Sequence, residues 1–155
     1  MNLMFIGEPE ESRKIRGNIL AEATDIEKYL TKFLAEYLSD DIHKREELHD
    51  FVFNTELFSF RKKIELFKKI SQKLYGDENE NIRSKVIEAF NFVSEIRNKV
   101  AHWNWSQSKT SEGNYYLQNP RKKEEVLKLD KKLLDRYNKY VMETLRFFDG
   151  WDERF

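Results

Sequence analysis

Residues 82–102 read Ile-Arg-Ser-Lys-Val-Ile-Glu-Ala-Phe-Asn-Phe-Val-Ser-Glu-Ile-Arg-Asn-Lys-Val-Ala-His. Ile82, Val86, Ala89, Phe90, Val93, Ile96 and Val100 recur at steps of three and four, the period of a helix with one apolar face. Neither Gly nor Pro interrupts the run. A stripe of this length has to be covered by other elements, and the rest of the chain offers more helices of the same kind, so the stretch predicts a helical bundle.

Upstream, Ile15, Ile19, Ala23, Ile26, Leu30, Phe33 and Tyr37 mark a long helix over Glu10–Leu38, with Gly17 tolerated inside it. Ser39, Asp40 and Asp41 interrupt it. Leu48, Phe51 and Val52 share a face of a short helix over Lys44–Phe53. Asn54 and Thr55 are turn or cap residues. Phe60, Ile64, Phe67, Ile70 and Leu74 mark a third helix closed by Gly76. The acidic run Asp77–Glu80 predicts a solvated loop whose charge suits the positive start of the next helix. Downstream of His102 the pattern changes. Trp103 and Trp105 alternate with Asn104 and Ser106, and Ser106–Asn114 is polar and loop-like. Tyr115–Gln118 and Glu125–Leu129 read as strands. Asn119-Pro120 also reads as a cap and first helical position, which leaves a helix from Pro120 open. Asp130 caps a last helix carrying Leu134, Tyr137, Val141, Leu145 and Phe148 and ended by Gly150. The expected fold class is all-α, a bundle of about five helices in one domain over residues 1–155, with a small β excursion between 103 and 129.

The 155 residues carry 28 basic and 28 acidic side chains, for a net charge of zero. That length suits one domain with a real core. The absence of Cys excludes disulfides, thiolate zinc sites and cysteine nucleophiles. Five Gly and two Pro argue against a loop-rich chain. Balanced charge excludes a polybasic tail and leaves room for a local basic groove. Leu3–Ile6 is too short for a signal peptide, and nothing further along is apolar enough to span a membrane, so a cytoplasmic location and no membrane partner are the default expectation. His43, Glu46, Glu47, His49 and Asp50 match no metal-ligand spacing and read as a polar helix face. Phosphate-binding Gly-rich loops, calcium-loop spacing and serine-nucleophile motifs are absent, and no metal or cofactor is expected.

The chemistry concentrates in Arg97-Asn98-Lys99-Val100-Ala101-His102. Bare Arg-to-His spacing of this kind arises by chance about half the time at this composition, so position matters more than spacing. Arg97 lies about 40° from Val93 and about 60° from Val100 around the helix, inside the apolar stripe. An unpaired charge there is costly. Either Arg97 is structural, snorkelling or paired with a carboxylate such as Glu65 or Glu88, or it is kept for an anionic ligand, for which a guanidinium offers a planar two-pronged donor. Asn98 and His102 share the adjacent edge. The clusters Arg61-Lys62-Lys63, Lys68-Lys69 and Arg121-Lys122-Lys123 read either as solvated faces or as RNA-steering patches, and Trp103, Trp105, Tyr115 and Tyr116 either as core or as stacking platforms.

The Arg97-Asn98…His102 trio resembles the RxxxxH motif of the HEPN superfamily. The long first helix, the Phe-rich third helix with Phe60-Arg61-Lys62-Lys63-Ile64, and a motif closing a late helix are similar to the HEPN plan over roughly Ser12–His102 and the last helix. The stand-alone prokaryotic members, including mannitol-repressor-like proteins, are closest in character. The resemblance implies a metal-independent endoribonuclease acting as a homodimer, with Arg97, Asn98 and His102 catalytic and Lys99, Trp103, Arg61, Lys62 and Lys63 in reach of RNA. It implies a toxin or antiphage setting, with an antitoxin or regulatory protein as a further partner. Arg97 and His102 are about 140° apart on one ideal helix, which suits a site completed by a second copy across a two-fold axis. HEPN toxins paired with a nucleotidyltransferase often carry Tyr two residues after the His. Asn104 stands there in this chain, which speaks against that route of control. The alternatives are a HEPN-type dimer that binds nucleotide, RNA or a protein as a regulator without cutting, and a plain helical interaction module with a structural Arg97.

Overall fold

In the computed structural model, which describes residues 3–4, 10–76, 80–108 and 115–152, helix α1 runs Glu10–Leu38, as the periodicity predicts. Its stripe of Ile19, Ala23, Ile26, Leu30 and Phe33 is buried. The expected short helix is α2 (Ile42–Glu47), continued by a π-helical turn over Leu48–Phe53. Asp41 caps α2, its carboxylate accepting from the backbone N–H groups of His43 and Lys44. Helix α3 (Phe60–Tyr75) starts at Ser59 and ends at Gly76, whose φ of +58° lies where a side chain would be strained. Helix α4 spans Glu80–His102 and packs on α1, α3 and on α5 (Lys131–Asp152). Asp77–Asn79, the remainder of the expected acidic loop, lies outside the described residues.

The Phe-rich stripes meet at the centre. Phe67 stands edge-on to Phe33 and Phe90, at centroid distances of 5.3 and 5.2 Å. Each fully buried Phe contributes about 1.5–3 kcal/mol through the water-exposed area it removes, and edge-to-face geometry adds to that.

The β excursion is real. Strands β2 (Asn104–Ser108), β3 (Tyr115–Gln118) and β4 (Val126–Leu129) form an antiparallel meander, and the two-residue β1 (Leu3–Met4) adds to the edge of β2. Trp105 pairs with Leu117, and Tyr115 with Leu129, all four buried toward the helices. A helix from Pro120 does not form. Asn119 instead holds a turn, its side-chain oxygen accepting from the Arg121 and Lys122 N–H groups. The expected loop over Ser106–Asn114 starts later, since Ser106–Ser108 belong to β2 and residues 109–114 lie outside the described residues. Asp130 caps α5 through the Leu133 N–H at 3.0 Å. Gly150 does not end that helix, which continues to Asp152. No helix among the described residues is long and apolar enough to cross a membrane.

Candidate functional site

Helix α4 ends where the bundle meets the sheet. Its last residue, His102, is exposed, and two residues later the chain enters β2. The Arg16 guanidinium of α1 donates to the Ala101 carbonyl at 3.4 Å, placing a cation where the helix end leaves acceptors free. Sequence spacing alone had no means of linking Arg16 to this end, because the contact depends on how α1 lies across α4.

Arg97 is half-buried beside Val93 and Val100, which are fully buried. Its Nη1 donates to Asn98 Oδ1 at 3.0 Å. Among the described residues no carboxylate pairs with it. Glu65 is engaged by Arg61 at 3.3 Å, and Glu88 accepts from the Tyr140 hydroxyl. Neither expected structural partner of Arg97 is therefore in place. Asn98 and His102 are both exposed.

Arg97 lines a cleft of about 310 Å³ whose other walls come from α1, the 53–59 segment and the start of α3. His102 is not part of that wall. Within one chain His102 therefore lies outside the cleft that Arg97 lines. Lys63, expected on an exposed basic face, is a correction. It is buried inside the same cleft, and its Nζ donates to Glu27 Oε1 at 2.7 Å. Its place one turn after Phe60 and one turn before Phe67 puts it in the apolar stripe of α3, a spacing that carried the signal.

Arg61 and Lys62 are exposed, as are Lys68, Lys69, Arg121, Lys122 and Lys123. Lys99 bonds Glu95 one turn back, and its ammonium lies 5.2 Å from the centre of the half-buried Trp103 ring. Trp105, Tyr115 and Tyr116 are buried, so the core reading holds for them. The Tyr115 hydroxyl donates to Glu11 at 2.7 Å, and that bond, with burial, pushes its ionisation up. Glu125 is held below the usual carboxylate range by hydrogen bonds from Asn119 and Lys122, with help from Lys99.

A larger groove, about 890 Å³, runs between α1 and α2. Its walls mix Lys28, Lys32 and Arg45 with Asp25, Glu36, Glu46 and Asp50, and it includes no residue of α4. His49 Nδ1 is 2.8 Å from Asp50 Oδ1 there, and His43 lies 3.9 Å from Glu46, contacts within a charged helix face.

Compared with known proteins, the chain matches no family model, no curated protein and no solved structure.

Proposed function

We propose that this protein is a metal-independent endoribonuclease of HEPN type, its site completed by two copies of the chain. The observation that carries the reading is Arg97: a half-buried cation in the apolar stripe of α4, hydrogen-bonded to Asn98 and paired with no carboxylate among the described residues. A guanidinium in that state retains donors for a phosphate. His102 stands exposed at the same helix end, free to meet a strand.

The reaction is an in-line transesterification. One His102 takes the proton of a ribose 2′-hydroxyl, whose oxygen attacks the adjacent phosphorus. The bond from phosphorus to the 5′-oxygen breaks, and the partner subunit's His102 protonates that oxygen. An imidazole suits both roles near neutral pH. Arg97 stabilises the extra charge on the pentacoordinate centre, and Asn98 fixes the guanidinium. The products are a 2′,3′-cyclic phosphate and a 5′-hydroxyl. DNA lacks the nucleophile and is inert. A toxin or antiphage role fits such an activity.

One observation favours a second reading. Arg97 and His102 do not line a common cleft within one chain, and a dimer that binds RNA or nucleotide without cutting needs only Arg97. Two variants separate the readings. His102→Ala should lose cleavage in EDTA by about 10²–10⁴-fold and still shift RNA on a gel. Arg97→Ala should lose both. Wild-type protein that shifts RNA but never cuts it assigns the binding role instead.

A further inference from the structure

The cleft beside Arg97 has features that the cleavage chemistry does not use. Lys63 lies inside it, 3% exposed, paired with Glu27. In a buried Lys–Glu pair the desolvation of both charges offsets most of their attraction, so the pair is weak evidence of added stability. Its ammonium has three donors and spends one on Glu27 Oε1. Arg97 enters from α4 on the same cleft with donors beyond the one given to Asn98. Phe53 and Phe58, edge-to-face at 5.1 Å, supply an aromatic wall, and Ser59, whose hydroxyl caps α3, is also in the lining. Glu27 and Glu56 are the carboxylates in the lining. The volume, about 310 Å³, is at the small end of the range for small-molecule pockets.

We infer that this cleft is a nucleotide subsite. It takes one nucleotide of a single-stranded RNA, the phosphate that Arg97 serves in the cleavage reaction lying between Arg97 and Lys63 and the base against Phe58. Two cations from different helices meeting an aromatic face are the parts such recognition requires. Glu27 holds Lys63 in place and tempers its charge. The inference rests on the RNA reading for the identity of the strand, and on the cleft itself for the chemistry.

The test is an amide NMR titration with a 2′-O-methyl RNA tetramer, which lacks the nucleophile and cannot be cut, beside adenosine 5′-monophosphate. The tetramer should shift the amides of residues 54–63 and the Arg97 side chain. Arg97→Gln should weaken binding roughly tenfold or more. Glu27→Gln takes the carboxylate from Lys63; in protein whose amide spectrum shows it folded it should tighten binding several-fold, whereas a purely structural pair lowers stability and gives no gain. His102→Ala should bind like wild type. Saturating tetramer that leaves residues 54–63 unmoved overturns the subsite. The monophosphate binding more tightly than the tetramer overturns the strand assignment in favour of a free nucleotide. Cleavage without these shifts removes the subsite alone, and these shifts without cleavage remove the nuclease reading alone.

Discussion

Arg97 and Lys63 both place positive charge beside the core, and they do so differently. Lys63 is neutralised by Glu27 at 2.7 Å, while Arg97 bonds only a neutral amide among the described residues. The first was hidden in a basic triplet, because a run of three cations reads as surface unless each is placed on the helix wheel. The second was legible, since Arg between Val93 and Val100 has no reason to exist as a solubilising group. Two other residues permit direct tests. Tyr137 is buried and donates to the Ile19 carbonyl at 3.0 Å. Tyr137→Phe should cost about 1 kcal/mol, read as a lower urea midpoint with an unchanged slope. Burial raises the Glu22 carboxyl above its ordinary 4.5. An acid whose folded value lies above its unfolded value loses stability as pH rises through that interval. Glu22→Gln should therefore melt slightly higher than wild type at neutral pH, and the gain should vanish below the ordinary carboxylate range. A gain that persists in acid contradicts the assignment.

At the scale of elements, period and punctuation were readable together. Helix α1 matches its apolar spacing end to end, and α3 stops at Gly76, where a positive φ makes Gly the fitting residue. Gly150 carried the same letter without the same need: the helix runs through it, because Gly permits a stop and does not impose one. The meander was legible in its strands and not in its turn. Pro120 suits a helix start, and the Asn119 side chain wins the backbone for a turn instead. The π-helical turn over Leu48–Phe53 left no trace in the periodicity, since six residues are too few to show a change of pitch. Asp130 joins β4 to α5 through one cap. Asp130→Ala should lower stability by about 1 kcal/mol in a denaturant titration while helix content by circular dichroism holds.

For the whole molecule, the helices close on the Phe33–Phe67–Phe90 cluster, and the sheet packs on them through Trp105, Leu117 and Leu129. Phe67→Ala should cost about 3–5 kcal/mol, enough to threaten the fold of a domain this size. On an ideal helix Arg97 and His102 stand about 140° apart, and His102 lies outside the cleft that Arg97 lines, so the proposed chemistry calls for a second copy. That requirement was visible in the helical angle, while the cleft that joins Arg97 to Lys63 depends on the 53–59 segment, whose path no local pattern dictates. The most direct measurement is mass spectrometry of the ends made from a defined RNA oligomer by wild type and by His102→Ala, both in excess EDTA. The wild type should leave 2′,3′-cyclic phosphate and 5′-hydroxyl ends, and the variant should leave the RNA intact. Intact RNA from both, or equal cutting by both, contradicts the proposed chemistry.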